Sequence, residues 1–159
     1  MLKRLSISML SAALLALLAG QASAGKSVNL GLLVCDMSKG IGLILIEKQK
    51  MTCEFRPVSG PTEPYFGNIT DFGIEIGEIK EGHLVWGVFA AALLDMQPGA
   101  LAGHYAGVTA DVAAGLGVGA NALIGGTGKG FVLQPLSVEG EVGVNIAAGI
   151  RTVTLHPAD

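Results

Sequence analysis

Residues 99–126, GALAGHYAGVTADVAAGLGVGANALIGG, decide how this chain is read. Asp111 is the only carboxylate in the stretch, which contains no Lys or Arg. Gly115, Gly117 and Gly119 occupy every second position, so in a strand all three leave one face bare. A bare face admits another backbone or a bulky side chain, or lets a sheet bend sharply. Read as a helix, Gly103-x-x-x-Gly107 and Gly115-x-x-x-Gly119 match the spacing of packed membrane helices. His104 and Asp111, together with the β-type alternation, oppose that reading. Two strands broken near residues 113–117 are expected instead.

Working outward, the flanks are also written for strands. Residues 28–35 (VNLGLLVC) form an apolar run without helical period, expected as a strand buried on both faces. A turn over 36–40, a strand over 41–46, a polar turn over 47–50 (EKQK) and a third strand over 51–56 follow. Residues 57–64 hold three prolines and a glycine and read as a loop. Residues 65–77 alternate, with Phe72, Ile74 and Ile76 expected toward a core and Asp71 and Glu75 toward water. Residues 84–90 (LVWGVFA) make the most aromatic strand, and 91–96 a helical turn or loop stopped by Gln97-Pro98-Gly99.

After the glycine-rich stretch, residues 125–130 (GGTGKG) read as a hairpin loop and 131–138 as a strand. Pro135 marks that strand as an edge or a bulge. The last strand is expected over 142–155, with Val142, Val144, Ile146, Ala148 and Ile150 on one face. Tyr65-x-Gly67 echoes Tyr105-x-Gly107, 40 residues on, as two strands meeting one packing problem. The sum is an all-β domain: a single antiparallel β-barrel or sandwich of about eight to nine strands.

The N-terminus stands apart. Lys3 and Arg4 precede an apolar run over 7–20, and Ala22-Ser23-Ala24 offers a small-x-small cleavage site. This pattern predicts a signal helix over 1–24, cleaved to leave a domain over 25–159, exported to the periplasm or beyond. A membrane anchor would need about 20 apolar residues, and this run is shorter. No transmembrane segment is expected in the mature chain. Removing the leader leaves 8 basic against 13 acidic residues, a net charge of −5. An acidic chain without a basic cluster excludes nucleic acid and suits anionic lipid poorly. Charged residues make up only 14% and glycines number 24, so the chain must bury itself or turn apolar surface to a partner. In an exported chain the pair Cys35 and Cys53, 18 residues apart, reads as one structural disulfide. Their spacing suits neither a metal site nor a redox C-x-x-C pair.

Motifs of catalysis are thin. Lys129 is followed by Gly130 rather than Ser or Thr, which rules out a phosphate loop. Gly115 and Gly117 would need glycine at 120, where alanine stands, for a dinucleotide fold. His83, His104 and His156 lack any metal spacing, so no metal or cofactor is expected. An outer-membrane barrel would carry aromatic girdles, and five Phe, two Tyr and one Trp are too few. Asp71 and Glu75 read as a solvated face rather than an acid pair, and Asn68-Ile69-Thr70 is a glycosylation sequon by pattern alone. The candidates for a ligand site are polar or aromatic groups set in apolar strands: Trp86, His104, Tyr105, Asn121, Gln134 and Asn145. The competing role for each is to satisfy backbone groups at a barrel end.

The residues also carry a resemblance. Gly31-Leu32-Leu33-Val34-Cys35 with Gly40-Ile41-Gly42 and Cys53 opens it, followed by Tyr65-x-Gly67 and Phe72-Gly73. Val85-Trp86-x-Val88-Phe89-Ala90 and Gly99-Ala100-Leu101-Ala102-Gly103-x-Tyr105-x-Gly107 continue it. Asn121-x-Leu123-x-Gly125-Gly126, Leu133-Gln134-Pro135-Leu136-Ser137 and Gly143-x-Asn145 complete it. In these the chain resembles a family of small bacterial exported proteins classed as a domain of unknown function (number nine hundred and ninety-two). The resemblance implies a periplasmic or secreted protein and supplies no catalytic residue. The expected function is a non-enzymatic, barrel-like binder of a small or apolar ligand or of an envelope component. The alternatives are a structural or interaction module of the envelope and a small periplasmic enzyme using His104 with Asp111.

Overall fold

The computed structural model describes residues 27–38, 40–41, 47–71, 78–79, 82–90, 96–119, 121–140 and 150–158. The predicted signal segment and Asn145 lie outside the described residues. The strands are β1 (Val28–Met37), β2 (Gly40–Ile41), β3 (Glu47–Pro57), β4 (Glu63–Asp71), β5 (Glu78–Ile79) and β6 (Gly82–Ala90). They continue as β7 (Gly103–Gly107), β8 (Leu123–Gly125), β9 (Phe131–Gly140) and β10 (Ile150–Pro157), and the described residues include an α-helix, α1 (Ala110–Leu116). Eight of them close an antiparallel barrel in the order β1-β3-β4-β10-β7-β8-β9-β6, and β2 pairs with β5 alone. The fold is therefore the barrel rather than the sandwich.

Strand alternation fills that barrel. Leu33, Cys35 and Met37 of β1, Met51, Cys53 and Phe55 of β3, and Tyr65 and Ile69 of β4 all point inward. They join Leu84, Trp86 and Val88 of β6, Tyr105 of β7, Leu123 of β8, Leu133 of β9 and Val153 and Leu155 of β10 in one apolar cluster. Every barrel strand contributes to it. Cys35 faces Cys53 directly across β1 and β3, and the two form the expected disulfide. Closing an 18-residue loop contributes about 3 kcal/mol by restricting the unfolded chain.

The outer surface of β3 carries Lys50, Thr52, Glu54 and Arg56, all exposed. Along β3, apolar inside and charged outside is the reverse of a bilayer-facing strand. Among the described residues no helix is long and apolar enough to cross a membrane.

Three local readings need correction. The glycine-rich stretch is not two strands broken at 113–117, because α1 occupies that region. Its signals are present in the sequence. Thr109 caps the N-terminus through Oγ1, which accepts from Val112 N, and Asp111 sits in the first turn where the helix dipole favours an anion. Gly117, at φ +70°, closes the helix with Val118 N donating to Ala113 O and Gly117 N to Ala114 O. Gly115 and Gly117 thus serve a helix and its cap rather than one bare strand face.

Residues 47–50 are not a turn but the start of β3, with Glu47–Lys50 paired to Asn68–Asp71 of β4. Alternation explains it: Gln49 turns inward and Lys50 outward. In β4 Tyr65, Gly67 and Ile69 point inward, and the core positions expected at Phe72, Ile74 and Ile76 lie outside the described residues. Finally, β1 is not buried on both faces, since Leu32 is 38% exposed and Asp36 is exposed. Pro135 falls where a bulge is expected: Trp86 pairs with Pro135 but Val85 with Ser137, leaving Leu136 as the extra residue.

Candidate functional site

Two regions of this barrel do more than close it: one end of the core and one side of the outer wall. The end is sealed by residues 96–102. Leu101 is fully buried there, and its peptide groups are held by two tyrosines from different strands. Leu101 N donates to Tyr65 Oη at 3.4 Å, and Tyr105 Oη donates to Leu101 O at 2.8 Å. Tyr65 Oη in turn donates to Glu63 Oε2 at 2.8 Å, and Gly99 N donates to the same carboxylate oxygen at 3.1 Å. The echo of Tyr65 and Tyr105 in the sequence thus has a spatial meaning, because both grip one residue. Burial first, then the bond to Glu63, pushes the Tyr65 hydroxyl well above its ordinary range. Burial, then the neighbouring Tyr65, does the same to Tyr105.

Close approach makes the arrangement possible. A Cβ on Gly125 would lie 1.8 Å from His104 O, so only glycine lets β8 reach β7 beside Tyr105.

The six predicted site residues do not converge. Tyr105 is inside the barrel and serves the Leu101 carbonyl. Gln134 lies on β9, its Oε1 accepting from Gly119 N at 2.6 Å and its Nε2 donating to Pro135 O at 3.3 Å. His104 is outside, its Nδ1 2.9 Å from Thr154 Oγ1 on the paired strand. Asn121 is exposed in the connection between α1 and β8. His104 and Asp111, the enzyme alternative, sit on β7 and in the first turn of α1, both exposed. Trp86 is fully buried at mid-barrel, and its Nε1 meets no acceptor among the described residues. A buried donor left unmet costs about 1–3 kcal/mol.

The outer wall holds what the sequence reading did not name. Three runs are apolar in both parities, those of β1, β6 and β9, and the barrel order sets them side by side. Their inward residues fill the core, so their outward residues form an apolar face. Leu32 and Val34 of β1 stand beside Gly87 and Val85 of β6 in register. Across β6, Phe89 pairs with Val132 of β9, and Gly87 pairs with Gln134. The Phe89 ring lies over Gly87, with Leu136 next to it: a Cβ on Gly87 would fall 2.7 Å from Phe89 Cε2 and 3.5 Å from Leu136 Cδ1. Leu136, thrown outward by the bulge, is 55% exposed. At one border of this face, Asp36 Oδ1 and His83 Nδ1 meet in an exposed contact across β1 and β6.

The signal that could have found this face is the double-parity apolar pattern, read together with the strand order. Pattern alone suggested burial on both sides, and only topology shows that no described layer covers the second side of Leu32 and Leu136.

No curated protein and no solved structure matches the chain. A family model does, over residues 14–156, and its description is a protein of unknown function (DUF992). That span takes in both cysteines, the two tyrosines with the loop they grip, and the whole apolar face, so the chain belongs to the DUF992 family.

Proposed function

We propose that this protein is an exported, non-enzymatic module of the cell envelope that works by docking a partner protein on its β1-β6-β9 face. The observation that carries the reading is the apolar group around Gly87: Leu32, Val34, Val85, Phe89 and Leu136 on three adjacent strands. A contiguous apolar patch on a barrel whose other side is charged is the mark of an interaction surface. A protein fits it better than a lipid surface. The face is bordered by Asp36, the chain is acidic, and anionic lipid calls for basic side chains. Two of the polar candidates serve backbone groups, Tyr105 at Leu101 and Gln134 at Gly119, which supports structural over catalytic roles for them. Export rests on the leader-like residues 1–24 and is in keeping with the disulfide.

Two measurements test it. N-terminal sequencing of the protein from the envelope fraction is expected to begin at Gly25; a chain retaining Met1 in the cytoplasm defeats the export claim. Photo-crosslinkers at Leu32 and Leu136 are expected to give the same discrete adduct in cells, with none from Thr52 or Asn68. Equal labelling from all four positions defeats the docking claim.

A further inference from the structure

We propose that the barrel interior takes one small, neutral hydrogen-bond acceptor, held by the indole Nε1–H of Trp86. The side chain is fully buried, so bulk water does not reach it, and its nitrogen has no protein acceptor among the described residues. Buried indole N–H groups in native proteins find partners, which makes this one a polar anchor in a largely apolar interior.

The surroundings define the class of molecule. Gln49 is the one polar side chain in the buried set of described residues besides the aromatic hydroxyls and the indole, and no charged side chain belongs to that set. An ion would therefore lose its hydration without gaining a counter-charge, so the guest is neutral. It must be an acceptor, because the indole only donates. It must be compact, because Phe55, Tyr65, Tyr105 and Trp86 itself already occupy the interior, and a barrel of eight strands has room for side chains and at most one small ligand. Water and a small hydroxyl or carbonyl compound share this chemistry.

A second observation supplies a route. Trp86 is in register with Pro135 on β9, which has no N–H to give the ladder. Leu136 is bulged out of the ladder next to it. On the other side of β9, the described pairing with β8 ends at Leu133. The neighbour just beyond is Gly119, tied on by Gln134 through one side-chain bond. The β6–β9 ladder is thus bulged and short of one N–H donor at the indole's own residue, and among the described residues the β8–β9 ladder stops two positions before Pro135.

The test uses the full chain as purified and needs no core substitution. Trp86 is the single tryptophan, so the ¹⁵N-labelled protein gives one indole cross-peak. Expected is a cross-relaxation peak of dipolar sign from that proton to water, with a bare mass in native mass spectrometry, if water is the guest. If an organic molecule is the guest, the peak runs to ligand protons and the native mass carries a non-covalent addition lost on denaturation. An indole proton with neither contact, together with a bare mass, overturns the proposal. The route is tested with Gln134→Ala, expected to speed deuterium exchange at the indole several-fold while the fold is kept. An unchanged exchange rate overturns the route.

Discussion

The two sides of this barrel share one core and differ in what they present to the outside. On β3, β4, β10 and β7 the outward positions are mostly polar: Lys50, Glu54 and Arg56, with Arg56 Nε 2.5 Å from Glu54 Oε1, then Asn68, Thr152 and the His104–Thr154 pair. Among the described residues Phe66 is the large apolar side chain exposed there. On β1, β6 and β9 the same parity gives Leu32, Val34, Val85, Phe89 and Leu136. Backbone, twist and closure are common to both sides, so the contrast comes from side chains alone. Scattered exposed apolar residues are ordinary, and their contiguity is what distinguishes the second side.

The largest expected effect strikes what both sides share. Leu33→Ala removes a fully buried side chain facing the core from β1, and chemical denaturation should show a loss of about 2–5 kcal/mol. Neither side should survive such a change better than the other.

Next comes the seam. The Cys35–Cys53 disulfide joins β1, which carries the apolar side, to β3, which carries the charged one. Replacing both cysteines by alanine should lower stability by about 3 kcal/mol, read as a lower melting temperature that reductant no longer shifts.

The sealed end should respond to pH. Both Tyr65 and Tyr105 have their hydroxyl pKa raised in the folded state. Their neutral forms thus contribute stability in full below the unfolded tyrosine value of about 10, and that contribution falls as pH rises above it. Tyr65→Phe should cost about 0.5–1.5 kcal/mol at neutral pH by removing the bonds to Glu63 and Leu101, and should flatten the alkaline loss. A pH profile identical to that of the parent would remove Tyr65 as its source.

The smallest effects on stability separate the two sides. Leu32→Glu with Leu136→Glu, and His104→Ala on the other side, should each shift stability by no more than about 0.5 kcal/mol per site. Only the first pair should abolish binding of an apolar dye or partner. If His104→Ala weakens association equally, the contrast between the sides has no functional meaning.

Much of this was legible in the sequence, for physical reasons. Alternation is a property of the strand itself, so 51–56, 84–90 and 131–138 read correctly as strands, and an even pair of cysteines pointed to the bond that forms. Short helices are harder, because seven residues offer a single turn or two of periodicity. In α1 the signal resides in Thr109, Asp111 and Gly117 rather than in pattern, and glycine at alternate positions hid it. The outer face was illegible for another reason. Apolar residues on both parities of β1 mean burial if a layer covers them and a docking surface if none does, and that depends on which strands are neighbours. Of the six polar candidates, sequence could place each in an apolar setting but not say what its polar atom meets. Gln134 and Tyr105 meet backbone, and the buried Trp86 Nε1 meets no protein group among the described residues.

The strand order has a kinetic consequence. β10 is the last of the eight barrel strands in the chain, yet it inserts between β4 and β7. Until it arrives, the strands bearing Tyr65 and Tyr105 have no shared neighbour to set their spacing, and the grip on Leu101 cannot be completed. Closure is therefore a long-range event, of the kind that slows folding because distant segments must meet before their contacts repay the lost freedom. If the chain is exported unfolded, as proposed, this order suits it: the keystone strand β10 follows the other seven barrel strands, and the ring closes only after it.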